Sequence, residues 1–67
     1  MKTTNAQNNA AEEFSQAFND FQNSTPANRA ELDRQLDLAM ARYRKAHGLC
    51  DGLGLLDLIN HFNRTHA

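Results

Sequence analysis

Four side chains able to hold a metal or move a proton fall in one stretch, His47, Cys50, His61 and His66, spaced H-x2-C-x10-H-x4-H. Zinc takes four nitrogen or sulfur ligands at tetrahedral corners, with the first pair commonly seated on a knuckle turn. Here the first pair straddles Gly48, which reads as a helix terminus, and the residues before His61 carry a helical rather than a ββα pattern. The spacing therefore predicts no metal site. His47 edges an apolar stripe, Cys50 is read as a small buried hydrophobe, and His61 and His66 as exposed.

Nucleophilic chemistry fares no better. A His47–Cys50 dyad needs an orienting third group and a cleft that excludes water, and a domain this small has little room for either. Asp57 and His61, four apart, read as a surface pair. Ser15 and Ser24 have no base beside them in the pattern. The residues predict a protein with no catalytic residue, no cofactor and no metal.

These side chains must be positioned by a chain of 67 residues. A chain of that size hides only about 60% of the surface its unfolded form exposes, so it usually gains stability from disulfides, a metal or self-association. A single cysteine excludes an internal disulfide, which leaves oligomerisation as the favoured aid. One cysteine and no secretory leader pattern fit a reducing, cytoplasmic setting. No run approaches the roughly 18 apolar residues a membrane span requires, and Asp57 interrupts the best one. Net charge is −1 with a pI near 6.2, which lacks the basic footprint of a nucleic-acid binder. Arg42, Arg44, Lys45 and His47 do cluster, an arrangement that complements the negative end of a helix dipole.

Residues 1–9 are rich in Asn, Thr and Gln and read as a disordered tail. Residues 10–22 form a short amphipathic helix with Phe14, Phe18 and Phe21 on one stripe. Thr25 as N-cap and Pro26 at the first position start a long second helix to about His47. Its apolar face is Leu32, Leu36, Ala39, Met40, Tyr43, Ala46 and His47, and Leu38 stands alone on the polar side. Gly48 suits a left-handed C-cap, with Leu49 making the accompanying contact. Asp51 caps a third helix to about Arg64, and residues 65–67 fray. The predicted fold is all-α: one three-helix domain over residues 10–64, short–long–short. The second and third helices form a hairpin in a homodimeric bundle.

Between Gly48 and Phe62 the chain carries five leucines, Leu49, Leu53, Leu55, Leu56 and Leu58, more apolar surface than one helix face can cover. That surplus predicts a contact surface on Leu53, Leu56, Ile59 and Phe62, oriented by Tyr43, Arg42 and Arg44. The expected function is a small non-enzymatic regulator or inhibitor that pairs with itself and binds a larger protein. The alternative is a dimeric DNA-binding regulator using Arg42, Arg44 and Lys45 on phosphates. The third helix carries Asn60, His61, Asn63 and Arg64 only at its C-terminal end, whereas a recognition helix reads bases from its N-terminal part.

Overall fold

The computed structural model describes residues 4–66. They form three α-helices, α1 (Asn5–Gln22), α2 (Arg29–Ala46) and α3 (Leu55–His66). Among the described residues there is no strand, so the domain is all-α as its periodicity predicts.

Helix α1 starts at Asn5, not Ala10, so residues 5–9 of the expected tail are helical; residues 1–3 lie outside the described residues. The reason is a capping box. Thr4 Oγ1 accepts from the Gln7 N–H at 3.1 Å, and Gln7 Oε1 accepts from the Thr4 N–H at 3.0 Å. Gln7 Nε2 also donates to the Ala46 carbonyl at 3.3 Å, tying this polar first turn to the end of α2. Helix α1 therefore equals α2 in length, 18 residues each, rather than being the shorter of the two.

Helix α2 starts at Arg29 rather than Pro26. Thr25 is not its cap. The Thr25 N–H and hydroxyl both donate to Asn28 Oδ1, at 2.8 and 3.1 Å. This closes a turn with Pro26 at its second position, where a fixed φ is well suited. The other end is as expected. Gly48 has φ 66; the Leu49 N–H donates to Arg44 O at 2.8 Å and the Gly48 N–H to Lys45 O at 3.3 Å. This is the paired Schellman pattern, and Leu49 packs on the core. A Cβ on Gly48 would meet nothing within 4 Å, so Gly48→Ala carries a purely conformational penalty of about 1–2 kcal/mol. A thermal melt should show a midpoint lower by roughly 4–8 °C per kcal/mol; an unchanged midpoint would contradict the left-handed cap.

Helix α3 starts at Leu55, four residues after the expected cap Asp51. Asp57 provides the cap instead: its Oδ2 accepts from the Gly54 N–H at 3.3 Å, as an acidic third residue reaching back. The helix continues to His66, and Ala67 lies outside the described residues.

The antiparallel hairpin is α1–α2, not α2–α3. Gln7 meets Ala46 and Glu13 meets Arg42, so the two helices run opposite. Buried Ala10, Ala11 and Ala39 let them approach closely. Helix α3 advances alongside α2 in the same sense, since Tyr43 meets His61 and His47 meets His66. The eight-residue connection between α2 and α3 doubles back to allow this. Ala11, Phe14, Leu36, Tyr43 and Leu58 form the core where the three helices meet.

Candidate functional site

Among the described residues, Tyr43 is the centre of a cluster of titratable groups with His47, His61 and His66. It is fully buried, at 0% exposure. Its ring stacks on His47 at 4.1 Å between centroids. It meets His61 and His66 edge-on at 5.5 and 6.2 Å. His47 in turn lies 5.0 Å from His61 and 5.1 Å from His66. The i, i+4 spacing on α2 puts Tyr43 and His47 on the inner face, and α3 brings its two histidines across to them.

The hydrogen bonds fix where the protons sit. A carbonyl only accepts, so His47 Nδ1 donates to Tyr43 O at 3.1 Å. An uncharged His47 then presents a bare Nε2, and the His66 Nε2–H fills the 2.9 Å gap between them. The 5.1 Å centroid separation exceeds that gap by about two ring radii, so the two nitrogens face each other directly. The Tyr43 hydroxyl is buried with no other acceptor among the described residues, so it donates to His61 Nδ1 at 2.6 Å and leaves the His61 proton on Nε2.

Burial first, then the neighbouring His47, Arg64 and His66, pushes His61 below its ordinary value. Burial and then His47 lower His66. Burial raises the Tyr43 phenol. Burial thus favours the uncharged forms of Tyr43, His61 and His66. Proton storage is the chemistry this geometry supports.

Several expectations change here. His61 and His66 are half-buried rather than exposed, and Cys50 is exposed rather than buried. Tyr43 faces the core and cannot orient a partner. Asp57 is not paired with His61, because its carboxylate caps α3 while His61 turns to Tyr43. Among the described residues, no three His, Cys, Asp or Glu side chains gather in a geometry able to hold a metal ion. No helix there is long and apolar enough to cross a membrane.

The basic residues do not form one edge. Arg42 Nη1 pairs with Glu13 Oε2 at 2.8 Å on the α1 side. Arg44, two residues on, points away from Arg42 and donates from Nη1 to Leu53 O at 3.0 Å. Lys45 lines the α1–α2 groove with Arg42, beside Asn9 and Ala10.

The expected apolar surface is partly absorbed. Leu53, Ile59 and Phe62 are half-buried against the core, with Phe62 6.2 Å from Phe14 between ring centroids. Leu56 stands out at 76% exposure, and Leu38 on α2 at 56%. A groove of about 140 Å³ between α1 and α3 is walled by Phe14, Phe18, Ile59 and Phe62.

No protein-family model, curated protein or solved structure matches this chain.

Proposed function

We propose that this chain is a small non-enzymatic interaction module, a regulator or inhibitor that binds a larger protein through the outer side of α3. The observation that carries this reading is Leu56. It is a large apolar side chain, 76% exposed on the first turn of α3, in a chain whose other α3 anchors face inward. The Ile59–Phe62 side of the α1–α3 groove offers room for one incoming apolar side chain. The inward-facing nitrogens of the histidine cluster are engaged in internal hydrogen bonds, and exposed Cys50 has no base hydrogen-bonded to it among the described residues. Both facts favour binding over catalysis. The same outer side of α3 serves a second copy of the chain, as twofold self-association is the commonest assembly.

Leu56→Lys tests the surface. Its side chain touches little, so folding stability should change by no more than about 0.5 kcal/mol. Sedimentation velocity at tens of micromolar should give a dimer for the wild type and a monomer for the variant. Capture of a partner from host extract should fail in parallel. Unchanged assembly and unchanged capture would discard this surface.

A further inference from the structure

We propose that Tyr43, His47, His61 and His66 form a proton-operated latch, which holds α3 on α2 while the histidines are uncharged and releases the last turns of α3 in weak acid. This goes beyond the interaction reading and does not rest on it.

Each gap between the rings holds a limited number of hydrogens. The 2.9 Å space between His47 Nε2 and His66 Nε2 accommodates one N–H. Because His47 Nδ1 is already committed as a donor to Tyr43 O, a proton added to His47 goes on Nε2. His66 must then accept, moving its own hydrogen to Nδ1. The pair can store one added proton in this way. A second puts two N–H hydrogens into the same gap and separates the rings. His61 is less tolerant still. A proton on its Nδ1 makes that nitrogen a donor towards the Tyr43 hydroxyl, 2.6 Å away, whose own hydrogen is left without an acceptor in the core.

These two contacts are side-chain hydrogen bonds joining α3 to α2, so losing both frees the C-terminal half of α3. The surrounding charges do not compensate. Arg64 on α3 opposes a charge on His61, and Arg44 on α2 is held at the carbonyl of Leu53, a residue that lines one groove with His61. Asp57 on α3 is committed to the Gly54 N–H. Among the described residues, Glu12 on α1 is the one carboxylate lining the groove that reaches His66, and it forms no ion pair with His66.

The sign follows from linkage. Both shifted histidines bind protons more weakly when docked than when free, where the value is 6.5. The released state therefore takes up more protons. Docking is strongest above 6.5 and is lost as pH falls from there through the lowered docked values.

Backbone amide protection factors in the full chain, which divide out the intrinsic pH dependence of exchange, test the latch directly. Between about pH 7.5 and about pH 5, protection over residues 61–66 should fall relative to that of α1. Ring-proton NMR should place His61 and His66 below 6.5. The double variant His61→Gln/His66→Gln keeps an acceptor for the Tyr43 hydroxyl and a donor for His47 but removes both protonation sites on α3. It should hold α3 equally at both pH values, and Glu12→Gln should respond like the wild type. Histidines titrating at or above 6.5 overturn the proposal, and so does an acid response that survives in the double variant or vanishes in Glu12→Gln. Should the double variant not fold, the wild-type titration alone decides.

Discussion

Leu58→Ala is expected to remove about 3–4 kcal/mol of stability, within the range for truncating a buried leucine, and to leave the chain largely unfolded above room temperature. Leu58 is the one α3 residue among those described that is fully buried, and it seats α3 against Phe14, Leu36 and Tyr43. A chain of this size has roughly 3–10 kcal/mol in total, at about 0.05–0.15 kcal/mol per residue. Losing about 3–4 kcal/mol of that should lower the melting midpoint by roughly 12–32 °C, at about 4–8 °C per kcal/mol. Leu56→Ala is the matched control. It makes the same chemical change two positions earlier in the same helix, on a side chain that is 76% exposed, and should shift stability by about 0.5 kcal/mol or less. Circular-dichroism melts of both proteins decide the matter. Equal losses would mean that α3 does not dock through the face that carries Leu58.

The residues that declared themselves in the sequence are those whose local physics has one solution. The Phe14–Phe18–Phe21 stripe and the α2 face from Leu32 to His47 follow from a 3.6-residue period, and each buries part of its surface as that period requires. Gly48 was equally legible, since a glycine at the end of a long amphipathic run closes the Schellman pattern without a Cβ penalty. Where two local solutions compete, tertiary context chooses. Thr4 and Gln7 carry the spacing of a capping box, yet their polar neighbours also satisfy a reading as disorder; the tie from Gln7 to Ala46 favours helix. Thr25–Pro26 and Asn28–Arg29 are rival helix starts, as are Asp51 and the Gly54–Asp57 pair, and in both cases the later one wins. A glycine-rich segment ahead of Leu55 favours that outcome, since Gly52 and Gly54 inside a helix would each cost about 1 kcal/mol.

The histidine cluster was only half legible. Placing His47 on the inner face of α2 follows from its spacing to Tyr43. Placing His61 and His66 beside it depends on α3 running in the same sense as α2, which no residue type announces. A hairpin of α2 and α3 reverses the order and pairs His47 with the start of α3 instead. The surplus of leucines was overcounted for the same reason. With α3 lying across the α1–α2 pair, the phenylalanines of α1 cover Ile59 and Phe62, and only Leu56 is left substantially outside.

Tyr43→Ala and Tyr43→Phe separate the two things this residue does. The alanine change empties the centre of the core. It removes a ring at 0% exposure that touches Phe14 at 5.2 Å between centroids and stacks on His47 at 4.1 Å. Truncation of a buried aromatic costs about 3–5 kcal/mol, enough to abolish cooperative melting here. The phenylalanine change keeps those ring contacts and deletes only the donor to His61 Nδ1. His61 is half-buried, so water can reach part of the vacated position and the loss should stay near 1 kcal/mol, or roughly 4–8 °C in the melting midpoint. Dispersed amide NMR spectra should survive in the phenylalanine variant and collapse in the alanine variant. If Tyr43→Phe melted like the wild type, the 2.6 Å hydrogen bond would contribute nothing net. Proton control of α3 would then rest on the His47–His66 pair alone.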